Sequence, residues 1–349
     1  MPIVKAFAAT QADLPLGPYE LQRRELGPLD IQIEILFCGV CHSDIHTARN
    51  EWGGTRFPVV PGHEIVGKVS AIGTEVTCHQ LGDTVGVGVF VDSCGHCANC
   101  AEHLEQYCEN GHSQTYNSLL QDKKTITYGG YSTHIVVTER FVLKVPSNLS
   151  LPGVAPLLCA GITTYSPLRH LGVKSGDRVA VVGLGGLGHM AVKLAAAMGA
   201  EVTMLSRTPD KARDAERLGA HHFVLTTDSD QLKKASSSFH YIINTVSGVH
   251  DYNTYLPLLK TNGTMVVLGA PPVPSTVQAG QLIRGRKSIL GSLVGGVKET
   301  QEMLDFCSAH QIVSEVEVIP IQQINEAYER TIAGDVHYRF VIDMASLNG

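Results

Sequence analysis

Three clusters of residues in this sequence have the types and spacing to do chemistry. The first is Cys38-Gly-Val-Cys41-His42-Ser43-Asp44-Ile45-His46. It sets thiols, a hydroxyl, a carboxylate and imidazoles within one short stretch. That suits a metal ligand with a proton path beside it. A Cys-x-x-Cys redox pair and a polar turn are the competing readings. The second cluster is Cys94, Cys97, Cys100 and Cys108, spaced C-x2-C-x2-C-x7-C. Four such thiolates can close a tetrahedron around zinc and leave no position for substrate, as in a structural site. The first three spacings also fit an iron–sulfur cluster, but the wider fourth spacing and the polar surroundings favour zinc. The third cluster is Gly183-Leu184-Gly185-Gly186-Leu187-Gly188. Glycines in this pattern permit a tight turn and let a pyrophosphate approach the N–H groups of a helix N-terminus.

Other candidates stand alone. His63 and Glu64 follow Pro61-Gly62 at a strand start, and a solvated surface pair explains them as well as chemistry does. Cys159 falls in a helix-like run over 156–169, where a lone cysteine reads as a buried thiol. Trp52, the only tryptophan, either fills a core or lines a substrate pocket. Ser206 and Arg207 end a strand at the point where an NAD site would carry an acid for the ribose 2′-hydroxyl. A hydroxyl and a cation there suit a 2′-phosphate, and Lys211 adds a second charge, so the expected cofactor is NADP(H).

The elements that must position these residues fall into two textures. Over 1–150, short alternating runs at 31–37, 64–72, 84–89, 131–137 and 141–145 are separated by Gly, Pro and Asp. Such runs predict a barrel or sandwich. Residues 109–130 are polar, with little periodicity, and read as a loop laid over something else. From 151 onward strands alternate with helices. A strand at 178–182 runs straight into the glycine cluster and a helix, which is the context a G-x-G-x-x-G motif requires. Strands are expected at 201–205, 239–245, 263–269, 288–294 and 338–343, and helices at 251–260, 298–309 and 324–333. The alternation predicts a doubly wound α/β unit.

The 349 residues predict roughly two domains. A hydrophobic fraction of 44% supplies a sizeable core, and the net charge of −6 with no basic stripe argues against a nucleic-acid partner. No apolar run reaches membrane-spanning length, and the first residues read as a strand rather than a signal peptide. Nine cysteines cannot all pair within one chain. Their metal-like spacing suits a reducing cytoplasm. Cys38, Cys78 and Cys307 are expected to be buried thiols.

Taken together, these motifs resemble the zinc-dependent medium-chain alcohol dehydrogenases, in particular their cinnamyl-alcohol-dehydrogenase-like branch of broad-range aldehyde reductases. The resemblance spans essentially the whole chain. It is carried by residues 38–46, by Pro61-Gly-His63-Glu64-x2-Gly67 and by the four-cysteine lobe. It continues through Leu158-Cys159-Ala-Gly161-Ile-Thr163, residues 183–188 and Tyr338-Arg-Phe-Val-Ile-Asp343. It implies a GroES-like catalytic domain at 1–150, with a structural zinc lobe at 92–110. A Rossmann NADP-binding domain follows at 151–290, and a C-terminal segment, 291–349, returns to the catalytic domain. Two zinc ions per chain are implied, with Cys41, His63 and Cys159 sharing the catalytic one.

By the same resemblance Glu64 is a carboxylate near the metal, and Asp44 orients a ligand. Ser43 and His46 form a proton relay. Thr163, Leu184, Ser206, Arg207, Lys211, Thr245, Gly269, Ser292 and Val294 join the glycines in touching the cofactor. The implied reaction is hydride transfer between NADP(H) and a primary alcohol or aldehyde, with reduction favoured and Trp52 shaping a pocket for aromatic or long aliphatic substrates. A homodimer is implied, formed through an edge strand near 288–294. A zinc-free reductase on the same architecture is disfavoured by the cysteines and His63. An NAD-linked polyol dehydrogenase is disfavoured by Ser206-Arg207. A non-catalytic NADPH-binding protein is disfavoured because nothing looks inactivated.

Overall fold

The structure, a computed structural model, describes residues 3–348. The chain divides into two compact units. One holds the residues up to Cys159 and then those from Gly295 onward, and the other is Ala160–Val294. The divisions therefore fall after 159 and 294 rather than after 150 and 290. The first shift has a local cause. Cys159, at φ −129 and ψ −70, interrupts the run between the 3-10 turn Ala155–Leu158 and the helix Ala160–His170. The single helix expected over 156–169 is therefore two pieces, and the cysteine at the break stays with the first unit.

The first unit is built around the strand Asp30–Gly39. Its isoleucines at 31, 33 and 35 are buried and Glu34 faces solvent, the two-residue period of a half-buried strand. One side pairs antiparallel with Ile65–Ile72. The other side pairs first with His134–Thr138 and then with Arg339–Asp343. Arg339–Asp343 in turn lies parallel to Val316–Pro320. The C-terminal tail thus completes a sheet begun near the N-terminus, seven strands in all. Thr84–Val87 and a two-residue strand, Leu143–Lys144, extend the far side. The strand expected over 141–145 is that short because Glu139–Phe141 coils into a 3-10 turn. Cys38 and Cys307 are buried as expected, but Cys78 is exposed. It sits in a turn whose backbone N–H groups at Thr77 and Cys78 both donate to Glu139 Oε2, at 2.9 and 3.1 Å.

The second unit is a six-stranded parallel sheet. Its strand order is His222–Leu225, Glu201–Ser206, Arg178–Val182, Phe239–Asn244, Leu259–Val267, Ser288–Gly291. The winding reverses at Arg178–Val182, which opens a crevice at the carboxyl ends of the strands. The helix expected over 251–260 is absent. Two 3-10 turns, Tyr252–Thr254 and Leu256–Leu258, stand in its place, and the next strand already begins at Leu259. Pro257 in the second turn supplies no N–H and breaks helical continuation. The helices Val297–His310 and Ile324–Ala333 lie where the sequence predicts them. Among the described residues no helix is long and apolar enough to cross a membrane.

Candidate metal and cofactor sites

The strand Asp30–Gly39 delivers the chain to Cys41, which caps the N-terminus of the helix His42–Ala48. Asp44, in the first turn, accepts the Cys41 N–H at 2.9 Å, and a helix N-terminus favours such an acid. Gly39 is a glycine out of necessity, because a Cβ there would lie 1.9 Å from Glu64 Oε2. That close approach brings the loop carrying His63 and Glu64 beside Cys41. Cys159 joins from the broken helix, and its Sγ lies 4.0 Å from Cys41 Sγ across 118 positions of sequence. The ligand atoms of Cys41, His63, Glu64 and Cys159 all fall within 4.8 Å of one another, and all four residues are buried.

The donor set fits zinc. With Zn–S bonds of about 2.3 Å, two thiolates at corners of a tetrahedron stand about 3.8 Å apart, close to the separation found. His63 Nδ1 faces Asp44 Oδ1 at 3.2 Å, which leaves the other ring nitrogen for a metal. Charges follow the same logic. The hydrogen bond from Cys159 holds the Cys41 thiol well below the ordinary thiol range, and the same contact pushes Cys159 well above it. Burial would lower His63, but Asp44 outweighs it and keeps the imidazole well above its usual value. Burial pushes the Glu64 carboxyl up to about 7, against the pull of Arg339. A divalent metal turns such a set of thiols and imidazole into ligands by displacing their protons. Glu64 Oε2 is buried without a hydrogen-bond partner, an orphan that a cation would satisfy.

The second cluster is equally compact. The ligand atoms of Cys94, Cys97, Cys100 and Cys108 fall within 4.8 Å of one another, with Cys94 Sγ and Cys100 Sγ 3.9 Å apart. Backbone N–H groups of the lobe turn inward: Cys97 N–H donates to Cys94 Sγ at 3.4 Å and Cys94 N–H to Cys108 Sγ at 3.5 Å. Donation from the backbone, that of His96 foremost, lowers the Cys94 thiol to about 5. Four thiols alone at this separation would fill the tetrahedron and leave no open position.

In the second unit the expected cofactor residues lie at the carboxyl ends of neighbouring strands of the sheet. Gly183 follows Arg178–Val182, Ser206 ends Glu201–Ser206, Thr245 follows Phe239–Asn244, and Gly269 and Ser292 lie just past the next two strands. Gly183 has φ +89, and a Cβ on it would meet Val246 Cγ2 at 2.8 Å. A Cβ on Gly188 would meet Gly183 O at 1.9 Å, so helix Gly186–Ala197 packs directly on the turn. A Cβ on Gly185 would meet nothing within 4 Å. That residue leaves open backbone at a helix N-terminus which no side chain caps, a cradle that fits a pyrophosphate. Thr245 Oγ1 donates to Val182 O at 2.8 Å and braces the turn. Ser206 Oγ accepts the Thr208 N–H at 3.2 Å, and Arg207 is exposed beside it. Thr163 lies on the helix Ala160–His170, which packs against the helix Gly186–Ala197.

The profile of the alcohol dehydrogenase GroES-like domain matches residues 27–147, and that of the zinc-binding dehydrogenases matches residues 186–309. NADP-dependent alcohol dehydrogenase C 1 of Mycolicibacterium smegmatis is 54% identical over 348 residues, 99% of this chain and 99% of that one. The chain belongs to the zinc-binding alcohol dehydrogenases. Aldehyde reductase YahK of Escherichia coli is also similar to it, 51% identical over 347 residues and 99% of each chain. A solved cinnamyl alcohol dehydrogenase from Sorghum bicolor matches with TM-score 0.95 and 45% identity, covering 99% of this chain and 98% of that one. The first unit of this dehydrogenase is accordingly GroES-like and the second Rossmann-type.

Some expected residues lie outside the metal cluster of the dehydrogenase. Ser43 Oγ stands 3.7 Å from Cys41 Sγ. His46, half-buried, pairs through Nδ1 with Glu51 Oε2 at 2.5 Å. Trp52 is 64% exposed, which removes the core alternative, and its ring stacks 4.8 Å from that of His46. Arg339 and Tyr116 are among the residues around the cluster that the sequence reading does not single out. Arg339 pairs with Glu64; a charged residue inside an otherwise apolar strand was the available signal. Tyr116, from the polar stretch 109–130, lies with its ring 5.7 Å from that of His63, so that stretch does cover something. Nothing local marked it.

Proposed function

We propose that this enzyme is a zinc-dependent, NADP(H)-linked alcohol dehydrogenase that works chiefly as a reductase of aromatic and aliphatic aldehydes. The observation that supports it most is the cluster of Cys41, His63 and Cys159, three buried zinc-type donors beside a second, closed cluster of four thiols. In this reading the first three hold a catalytic zinc and Cys94, Cys97, Cys100 and Cys108 a structural one. The bound groups supply Lewis-acid polarisation of a carbonyl oxygen and hydride exchange at the nicotinamide.

The chain does the rest. Asp44 fixes the His63 ring. Cys41, His63 and Cys159 are buried, and a low-dielectric setting strengthens the electrostatics among them. The Ser43 hydroxyl passes a proton to or from the substrate oxygen. His46, half-exposed, exchanges that proton with solvent. Glu64, not a member of the three-residue set, stays near the metal held by Arg339. Trp52, beside His46, offers an aromatic face to the substrate. Gly183 to Gly188, Thr163, Thr245, Gly269, Ser292 and Val294 seat the cofactor, and Ser206, Arg207 and Lys211 take its 2′-phosphate. The relatives' printed names, an NADP-dependent alcohol dehydrogenase and an aldehyde reductase among them, support the same cofactor and substrate class. The edge strand Ser288–Gly291 is offered as the dimer contact, and the cytoplasm as the compartment.

Metal analysis combined with benzaldehyde reduction tests this. Two zinc ions per chain and a preference for NADPH are expected. A chain with one metal or none would undo the site assignment, and a strong NADH preference would undo the 2′-phosphate reading. Comparable turnover of small polyols would refute the substrate class. His46→Gln is expected to lower the rate and alter its pH profile; an unchanged profile would remove His46 from the relay. A monomer by size-exclusion chromatography would remove the dimer.

A further inference from the structure

Asp44 is wholly buried, and its two oxygens collect four donors. Oδ2 accepts the Cys41 N–H at 2.9 Å and the Tyr131 hydroxyl at 3.3 Å. Oδ1 accepts the Gly62 N–H at 3.0 Å and faces His63 Nδ1 at 3.2 Å. Four donors fill the capacity of a carboxylate. Two are backbone groups and one is the histidine. Tyr131 supplies the fourth, and Tyr116 also interacts with the carboxylate.

Tyr131 is itself held firmly. The N–H groups of Gly129, Gly130 and Tyr131 donate to the carbonyls of Val60, Gly62 and Pro61 at 2.7, 2.8 and 3.0 Å. That backbone leads straight into His63. The tyrosine ring lies on Gly62, where a Cβ would come within 2.7 Å of Tyr131 Cδ1, and Gly62 has φ +101. Behind the segment stands Arg23, buried and, among the described residues, without a carboxylate among its bonds. Its Nε donates to His134 O at 2.9 Å, its Nη1 to Tyr128 O at 2.5 Å, and its Nη2 to Gly129 O and Ser132 Oγ, both at 2.7 Å. A buried guanidinium is costly to desolvate. Here three of the bonds go to backbone carbonyls on either side of Tyr131 and the fourth to the hydroxyl of its neighbour Ser132.

We infer that Tyr131 is a positioning residue for His63, acting through Asp44, and that Arg23 is the clamp that keeps Tyr131 in place. The inference rests on the reading that Cys41, His63 and Cys159 hold zinc. A ligating histidine needs its second ring nitrogen pinned, and the partner that pins it needs fixing in turn. Without the hydroxyl, Oδ2 loses its Tyr131 donor and keeps the Cys41 N–H, the carboxylate is held less tightly, and the bond to Nδ1 loosens.

The four-thiol lobe provides an internal control, because it shares none of these contacts. The experiment compares wild type, Tyr131→Phe and Arg23→Lys, each loaded with zinc or cobalt, following metal loss to a chelator and the visible cobalt spectrum. In both variants metal at the His63 site should leave about 10-fold faster or more, with a shifted cobalt band, while the four-thiol site is unchanged. Arg23→Lys retains the hydroxyl and the charge, so it reports even if the tyrosine variant does not fold. Unchanged loss from the His63 site overturns the inference. Equal loosening of both sites also overturns it, as general softening. A wild type holding only one metal per chain fails the underlying site reading instead, before any variant is compared.

Discussion

Arg339 donates through Nη2 to Glu64 Oε1 in the interior of the first unit, across 275 positions of sequence. The Arg339 side chain is 7% exposed and that of Glu64 is not exposed at all. The pair joins the end strand of the chain to the loop that carries His63. Removing one member of a buried ion pair strands the other charge at a cost of about 3–5 kcal/mol, whereas removing both is far milder. Arg339→Met is therefore expected to destabilise by about that amount, and adding Glu64→Gln should recover most of it. Denaturant midpoints of the two single variants and the double variant would show this. Additive losses would mean that the pair is not coupled.

Two glycines of the stretch 183–188 should fail in different ways. Gly188→Ala drives a Cβ into Gly183 O at 1.9 Å, so the unliganded protein itself should lose about 1–3 kcal/mol, the usual penalty for overpacking. Gly185→Ala meets nothing within 4 Å and should leave the melting temperature of the unliganded protein almost unchanged. Its added methyl covers the backbone that a pyrophosphate would approach, so its affinity for NADPH should fall. Thermal melts and cofactor titration of both variants separate the two effects.

Arg207 should discriminate between cofactors. A charged hydrogen bond to a 2′-phosphate is worth about 1.5–3 kcal/mol, roughly a 10- to 100-fold change. Arg207→Ala should raise the KM for NADPH by that factor and leave the KM for NADH nearly constant. A parallel rise for both cofactors would place Arg207 elsewhere in the site.

Asp30 gives a pH-dependent prediction. Burial alone would raise its pKa, but the Arg24 guanidinium and the Gly27 N–H, which donates at 2.7 Å, hold it below 3.8. A depressed carboxylate contributes stability above its unfolded value, and that contribution is lost as pH falls through the folded value. Asp30→Asn is expected to cost about 1–3 kcal/mol at pH 7. The gap from wild type should narrow once the pH drops below 3.8. Thermal melts across that range would reveal it, and a gap independent of pH would show that the charge contributes nothing.

Much of this architecture was legible in the sequence because its signals are local. The alternating isoleucines of 31–37 mark a strand without help from elsewhere. Strand, glycines and helix at 178–198 come in the order that a phosphate-binding turn requires. Four cysteines within fifteen positions (94–108) carry their own geometry, since a short loop cannot keep them far apart. The misjudged segments also have local causes that periodicity does not register. Pro257 converts an expected helix into two turns, and the interruption at Cys159 divides another.

What the sequence by itself determined, then, is the alternation of strands and helices, the four-thiol cluster and the glycine turn, because each depends on neighbours in the chain. What only the tertiary structure decided is who meets whom across long separations. Cys159 comes within 4.0 Å of Cys41, and Arg339 reaches Glu64 because Arg339–Asp343 pairs with Asp30–Gly39. Tyr131 closes on Asp44 because Arg23 fixes its backbone. Sequence spacing does not encode contacts of that kind: they arise when remote strands enter one sheet and bury polar groups that must then find partners.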